Sequence, residues 1–85
     1  MKEFTYTIKD EQGLHARPAG LLVKEAARFS CTVTIERNGK KADAKRIFAV
    51  MGLGVKCGEE ILVRLDGEDE AKAEETLHKF LEENL

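Results

Sequence analysis

The chain has 85 residues and a mass of 9.5 kDa, which is enough for one small domain with a single core. Its formal net charge is −2, whereas a nucleic-acid-binding protein normally carries a basic excess. No apolar run approaches the roughly 20 residues that a membrane-spanning helix needs, so no membrane insertion is expected. The N-terminal residues show no apolar signal-peptide core, and we expect a cytoplasmic location.

The first part of the chain alternates between the periodicity of a strand and that of a helix. Apolar residues alternate with threonines over residues 4–8, which predicts a half-buried strand. From residue 16 to about 28 the spacing is helical, with one apolar face made of Ala19, Leu22, Val23, Ala26 and Phe29. Alternation returns over residues 31–35 and predicts a second strand.

A hairpin and a short apolar segment follow. Asn38-Gly39 is a strong two-residue hairpin signal, because a type I′ turn requires positive φ at both positions. Residues 40–44 then form a short, charged return strand. Residues 47–53 are apolar nearly all round and end in glycines, which favours a short helix over a strand. Residues 61–65 alternate again and predict a last strand.

The chain ends in a second long helix. Asp66-Gly67 predicts a turn, and acidic residues at 68–70 suit a helix N-terminus because the helix dipole is positive there. The apolar stripe of this helix consists of Ala73, Leu77, Phe80 and Leu81. With one apolar face on each strand and one stripe on each helix, the helices must cover one side of the sheet. The sequence therefore predicts a two-layer α+β sandwich.

The heptapeptide at residues 13–19, Gly-Leu-His-Ala-Arg-Pro-Ala, joins the first strand to the first helix. His15 would lie at the helix N-terminus, where unpaired N–H groups and the dipole favour an anion. Arg17 adds donors suited to phosphate oxygens, and Pro18 fits the first helical turn. This pattern predicts a histidine that carries a phosphoryl group.

Other interpretations of the histidines and cysteines remain open. His15 could only help to cap the helix while Arg17 is solvated, or it could act as a general base with Cys57 as a nucleophile. An 85-residue domain with one sheet has little room for the substrate cleft that such an enzyme needs. His78 has no partner motif and is expected to be structural or exposed. Cys31 and Cys57 are expected to be free thiols, buried or half-buried, and their spacing predicts no metal site.

The apolar segment at residues 47–53 also has two interpretations. A short helix cannot bury Ile47, Phe48, Met51 and Leu53 together, so part of the segment should be exposed as a partner surface. Basic residues that could surround such a patch and attract acidic partners are Lys24, Lys45, Arg46 and Lys56. The alternative is a well-packed short helix flanked by solvated lysines.

Over its whole length the chain resembles the HPr family, the histidine phosphocarriers of the bacterial phosphoenolpyruvate-dependent sugar phosphotransferase system. The resemblance lies in the heptapeptide at residues 13–19, the Asn-Gly-Lys hairpin at 38–40 and the Met-Gly-Leu-Gly segment at 51–54. It implies an open-faced two-layer sandwich, with a four-stranded antiparallel sheet covered on one side by three helices in the order βαββαβα.

The resemblance also implies a function. His15 would accept a phosphoryl group on Nδ1 from phospho-enzyme I and pass it to sugar-specific enzyme IIA proteins, acting as a carrier rather than as an independent enzyme. Arg17 would stabilise the phosphate, while Ala16 and Pro18 would form the helix start beside it. We expect the protein to need no cofactor and to be a monomer. An HPr-like paralogue with a regulatory or non-sugar relay role is the alternative.

The docking face for both kinds of partner would combine the first and second helices. By resemblance it consists of Gly20, Leu21, Lys24, Arg46, Ile47, Phe48, Met51 and Leu53.

One position departs from the family pattern. In its Gram-positive branch the residue matching Arg46 is a serine that an ATP-dependent kinase phosphorylates, and the chain has arginine there. Position 46 should cap the second helix, which arginine cannot do as serine does. We therefore expect no seryl regulation.

Overall fold

A computed structural model describes residues 1–85 and contains four strands and three helices. In chain order they are β1 (Lys2–Thr7), α1 (Ala16–Ala27), β2 (Thr32–Arg37), β3 (Lys40–Asp43), α2 (Ile47–Gly52), β4 (Glu60–Asp66) and α3 (Glu70–Asn84). The strands form one antiparallel sheet in the order β1-β4-β2-β3. The predicted α+β open-faced sandwich is confirmed.

Alternation along the strands produces one buried face of the sheet. In the register, Tyr6 faces Ile61 and Ile35 faces Val63, and all four side chains are buried. The intervening residues, mostly threonines and charged residues, lie on the open side. Helices cover the buried face through small and branched side chains: Ala19, Leu22 and Ala26 on α1, and Ala73, Leu77 and Leu81 on α3. Val23, Phe29 and Phe80, expected in the same stripes, are only partly buried.

The hairpin between β2 and β3 has the predicted turn. Asn38 has φ 49° and Gly39 has φ 82°, so both central residues are in the positive-φ region that a type I′ turn requires. The return strand pairs Ala42 with Ile35, which buries the small alanine and leaves its charged neighbours in solvent. This charged strand forms one edge of the sheet and discourages pairing with other chains.

The second helix begins directly after Arg46, as expected, and exposes part of its apolar surface. Arg46 is the N-cap residue, and its side chain makes no capping hydrogen bond. Phe48 is 85% exposed, whereas Val50 is fully buried. Leu53 is only 3% exposed, so the prediction that it lies on a docking surface is wrong. It follows the last helical turn, where the chain heads back to the core. No helix is both long and apolar enough to cross a membrane.

Candidate functional site

The heptapeptide loop rests on the segment that follows α2. The Leu14 N–H donates to the carbonyl of Val55 at 3.0 Å, and Gly13 has φ 70°. A Cβ at Gly13 would lie 2.4 Å from the Val55 oxygen and 2.8 Å from Lys56 Cα, both backbone atoms. Only glycine fits this close approach, because a side chain would collide and the φ is strained for other residues. The loop is therefore held in place by backbone contacts.

The N-terminus of α1 has unused hydrogen-bond donors. His15 is its N-cap residue, with extended backbone angles, and its carbonyl accepts the Ala19 N–H at 3.0 Å. The N–H groups of Ala16 and Arg17 have no acceptor within the protein, and Pro18 has no N–H. No acidic residue occupies the first turn. The positive end of the helix dipole and two free donors thus point out beside His15.

The imidazole of His15 is partly exposed and lies beside a carboxylate. Its side chain is 34% exposed, and Nε2 lies 3.5 Å from Oδ2 of Asp10. The other oxygen of Asp10 accepts the Gln12 N–H at 2.8 Å, which fixes the carboxylate. No protein group makes a hydrogen bond to Nδ1 of His15, so this nitrogen is open to a reaction partner.

His15 and Arg17 share a surface pocket of about 270 Å³. Its lining consists of Asp10, His15, Arg17, Pro18, Leu21 and Asn84. The structure therefore brings together four of the residues singled out in the sequence, whereas Ala16 does not line the pocket. Asp10 and Asn84 were missed, because their approach depends on a turn and on the end of α3, which no local pattern encodes. Two larger pockets elsewhere contain neither histidine nor cysteine.

This arrangement suits a tetrahedral oxyanion. Backbone N–H groups at a helix start and a guanidinium are the donors that stabilise phosphate oxygens. Phosphoryl transfer requires mainly positioning and such electrostatic stabilisation. A nucleophilic nitrogen beside these donors can therefore take up a phosphoryl group and release it again.

The predicted docking residues form one surface, apart from the buried Leu53. The large apolar side chains on it are Leu21, Phe48 and Met51, which are 42%, 85% and 38% exposed. Lys24 and Arg46 are exposed beside them. Gly20 and Ile47 are partly buried and join the two helices, since a Cβ at Gly20 would lie 3.6 Å from Ile47 Cδ1. Leu21 also lines the His15 pocket, so the surface is continuous with it.

Lys45 does not belong to the basic rim as a free cation. Its ammonium donates to the carbonyl of Phe29 at 2.8 Å and is half-buried. This contact ties the segment before α2 to the end of α1. Lys56, the other expected rim residue, is exposed.

The two cysteines have different environments. Cys31 is buried, and burial, followed by the nearby Asp69, raises the pKa of its thiol. Cys57 is exposed, so the expectation of burial is wrong for it: it lies in the turn before β4, and its Sγ contacts the Lys9 carbonyl at 3.6 Å. Cys57 does not line the His15 pocket, and the structure gives no support to a Cys57–His15 catalytic pair. No cluster of three or more His, Cys, Asp or Glu side chains could hold a metal ion.

His78 packs against the sheet. Its ring meets that of Phe4 edge-on, with centroids 4.9 Å apart, and its Nδ1 lies 3.5 Å from Glu82 one helical turn later. These contacts give it a structural role on α3.

Comparison with known proteins identifies relatives over nearly the whole chain. The family described as "PTS HPr component phosphorylation site" matches residues 2–83. Phosphocarrier protein HPr of Mycoplasma capricolum is 45% identical over 73 residues, which cover 86% of this chain and 82% of that protein. The HPr-like protein Crh of Bacillus subtilis is 42% identical over 78 residues, 92% of each.

Solved structures agree with these matches. A histidine-containing phosphocarrier protein from Mycoplasma has a TM-score of 0.94 at 39% identity, covering 96% of this chain and 93% of that one. A crystal structure of the Bacillus subtilis catabolite-repression protein Crh, a dimer with a swapped domain, has a TM-score of 0.78 at 40% identity, covering 100% and 98%. Because sequence and fold agree from residue 2 to residue 83, this chain belongs to the HPr family of phosphotransferase-system phosphocarriers.

Proposed function

We propose that residues 1–85 form a single carrier domain that accepts a phosphoryl group on Nδ1 of His15. The donor is phospho-enzyme I, and the acceptors are sugar-specific enzyme IIA proteins of phosphoenolpyruvate-dependent sugar uptake in the cytoplasm. The observation that carries this proposal is the position of the imidazole. It is partly exposed at the start of α1, with Nδ1 unbonded and with Arg17 lining the same pocket.

Each residue of the site has a role in this transfer. The Nδ1 lone pair attacks phosphorus while the bond to the donor nitrogen breaks, and the electron pair returns to the donor. The Arg17 guanidinium and the N–H groups of Ala16 and Arg17 bind the phosphoryl oxygens. Pro18 starts the helix without adding a donor that would need a partner. The product is a phosphoramidate, which the next protein in the relay can attack in the same way.

We further propose that enzyme I and enzyme IIA dock on the surface formed by α1 and α2. Phe48 is its apolar centre, because an 85% exposed phenylalanine beside Met51 and Leu21 contributes little to the core and much to an interface. Replacing Phe48 with Ala should raise the KM for phospho-enzyme I about tenfold without lowering the melting temperature. An unchanged KM would exclude Phe48 from the interface.

A mass measurement tests the central proposal. The protein is mixed with phosphoenolpyruvate and enzyme I, and we expect an acid-labile gain of about 80 Da. His15→Ala should show no gain. His78→Gln is the matched control, since it removes the other histidine and should keep the full gain. Labelling of the His15→Ala variant would place the phosphoryl group elsewhere and overturn the assignment.

The arginine at position 46 supports a form of this carrier that escapes seryl control. Arg46 is exposed at the N-cap of α2 and has no hydroxyl to phosphorylate. Ser30, the only serine in the chain, is distant in sequence, and its hydroxyl contacts Asp69 at 3.3 Å. Incubation with the family's ATP-dependent kinase should yield no acid-stable phosphoester. A stoichiometric phosphoester would contradict this part of the proposal.

A regulatory role is the second candidate. The 42% identity to Crh, a protein of catabolite repression, is close to the 45% identity to HPr. A carrier and a regulator would both use His15, so only their partners separate them. A pull-down with phosphorylated and unphosphorylated protein decides: enzyme I and IIA proteins indicate a carrier, and a transcriptional regulator indicates the second role.

We propose that the monomer is the unit that transfers the group. The His15 pocket and the docking surface are both formed within one chain, so the site needs no second copy. Light scattering at transfer-assay concentration should give a mass near 9.5 kDa. A dimer of twice this mass, as in the swapped Crh structure, would show that this arrangement is wrong.

A further inference from the structure

Asp10 is the carboxylate paired with the His15 ring. Its Oδ2 lies 3.5 Å from Nε2, and both residues line the same pocket. This distance is at the long end for a hydrogen bond, but hydrogen bonds at catalytic sites are often long before the reactants are bound and tighten in the complex. The contact thus distinguishes the two nitrogens of the imidazole: Nε2 faces an anion, and Nδ1 has no hydrogen-bond partner.

The backbone around Asp10 holds this carboxylate rigidly. Its Oδ1 accepts the Gln12 N–H at 2.8 Å, and its carbonyl accepts the Gly13 N–H at 2.8 Å. The N–H groups of Lys9 and Asp10 both donate to the carbonyl oxygen of Leu85 at the end of α3. Because its Oδ1 and its backbone are already held, the carboxylate loses little conformational entropy when it engages the ring.

We propose that Asp10 is a positioning residue for phosphoryl transfer, one that keeps the proton of His15 on Nε2 and thereby keeps the Nδ1 lone pair directed at phosphorus. The inference rests on the proposed function of His15. A carboxylate that orients a catalytic histidine in this way fixes the tautomer and stabilises the positive charge that develops on the ring.

The chemical step balances with this assignment. In the acceptor step, Nδ1 forms the bond to phosphorus, the donor's nitrogen–phosphorus bond breaks, and the electron pair leaves with the donor. The Nε2 proton stays in place, so the ring becomes a cation that faces the Asp10 anion. In the onward step the nitrogen–phosphorus bond breaks towards His15, and the ring leaves as neutral imidazole. Asp10 therefore stabilises the ring in the state between the two transfers.

The carboxylate also has an unfavourable effect, because it repels an incoming phosphoryl dianion. Arg17, which lines the same pocket, carries the opposite charge, and Ala16 and Arg17 offer free N–H donors on the helix side. The ring lies nearer to Asp10 than a group attached at Nδ1 would. The attraction to the ring cation is therefore expected to prevail.

Three variants test this inference. Asp10→Asn keeps an oxygen that can accept the Gln12 N–H but removes the charge. Glu11→Gln is the matched control, with the same charge loss on a neighbouring exposed side chain. Asp10→Glu keeps the charge and should retain part of the function that Asp10→Asn loses. For each, nitrogen-15 NMR measures the tautomer of His15, and rapid mixing measures the rate of phosphoryl transfer from phospho-enzyme I and onward to enzyme IIA.

We expect the wild-type ring to carry its proton on Nε2, and the Asp10→Asn ring to be a mixture of both tautomers with transfer about tenfold slower or more. Glu11→Gln should match the wild type in both measurements. If wild-type His15 is phosphorylated and Asp10→Asn leaves the tautomer and rate unchanged, or speeds transfer, the inference is wrong and the proposed function stands. If wild-type His15 is not phosphorylated at all, the proposed function fails and the role of Asp10 fails with it.

Discussion

The two long helices begin in opposite ways. The first turn of α1 contains no acidic residue, and the N–H groups of Ala16 and Arg17 are unbonded. The start of α3 is acidic: Asp69 is its N-cap residue, and Glu70 follows in the first turn. A helix N-terminus attracts negative charge in both cases. At α3 the chain supplies this charge, whereas the first turn of α1 supplies none.

Asp69 shows what an acidic helix start does when it serves stability. Its Oδ2 accepts the Ser30 N–H at 2.8 Å, and its Oδ1 accepts the Cys31 N–H at 2.9 Å. These bonds join the start of α3 to the beginning of β2. The Ser30 N–H, followed by contacts from Cys31, holds the pKa of Asp69 below its usual value. The carboxylate is thus ionised and fully used within the protein.

Glu70 completes this junction. It forms an ion pair with the Met1 amine at 2.8 Å and accepts the Gly67 N–H at 3.1 Å. The hydrogen bond to the amine, followed by the one from Gly67, lowers the pKa of Glu70. The difference between the two helix starts indicates that the α3 start serves stability, whereas the α1 start keeps the free donors that the proposed anion site needs. Four substitutions test this division.

The largest effect is expected from Gly13→Ala, because a Cβ there collides with the backbone of Val55 and Lys56 and the φ of 70° is strained. Destabilisation should exceed that of Gly39→Ala, where φ is 82° but no atom lies within 4 Å of the new Cβ. The strain alone costs about 1–2 kcal/mol. Urea denaturation of both variants measures the difference, and equal losses would show that the collision is relieved without cost.

Arg17→Gln should slow phosphoryl transfer about a hundredfold while leaving the melting temperature unchanged, because it removes the donor proposed to bind phosphoryl oxygens. The reason for the unchanged stability is that the Arg17 side chain makes no hydrogen bond or ion pair within the protein and is exposed. Arg28→Gln, at the C-cap of α1 and about 17 Å further along the helix axis, is the charge-matched control. A similar loss in the Arg28 variant would point to net charge rather than to the site.

Asp69→Asn should lower the melting temperature by several degrees with no change in transfer rate. An asparagine has one acceptor oxygen, so its NH₂ group would face one of the two N–H donors. Because folding lowers the pKa of Asp69, its contribution is complete above the unfolded value of about 3.9 and is lost as the pH falls through the folded value. The gap between wild type and variant should therefore be widest at neutral pH and narrow below about pH 4. A gap that grows on acidification would contradict this linkage.

The smallest effect is expected from Ala16→Glu, which gives α1 the acidic first turn that α3 has. It should raise stability by about 0.3–1 kcal/mol and at the same time slow transfer, because the new carboxylate repels the phosphoryl group. Ala27→Glu, at the other end of the helix, should lower stability slightly instead. A stabilised Ala16 variant with full transfer activity would show that the helix start contributes nothing to the reaction.

Much of the fold was predictable because the signals are local. Periodicity located the strands and both long helices, and Asn38-Gly39 located the hairpin together with its positive φ angles. The proximity of His15 and Arg17 was also predictable, since both lie in one helical turn. These features depend on neighbours in sequence.

The features that were missed depend on distant parts of the chain. Asp10 approaches His15 through a turn anchored on Leu85, which is 75 residues further along. The burial of Leu53 and the exposure of Cys57 depend on where the connection from α2 to β4 runs across the core. Asp69 lies at the start of its helix as predicted, but its hydrogen bonds from the N–H groups of Ser30 and Cys31 were not foreseen. Pairing of this kind leaves no pattern in a single sequence.

The hydrogen bond between Leu14 and Val55 connects the loop that carries His15 to the segment that follows α2. Val55 comes seven positions after the exposed Phe48, and its carbonyl accepts the hydrogen bond that holds the His15 loop in place. In the proposed complex, a partner bound at Phe48 would therefore lie close in sequence to the segment that supports the His15 loop. The proposed docking surface and the His15 loop are thus linked through one short segment of backbone.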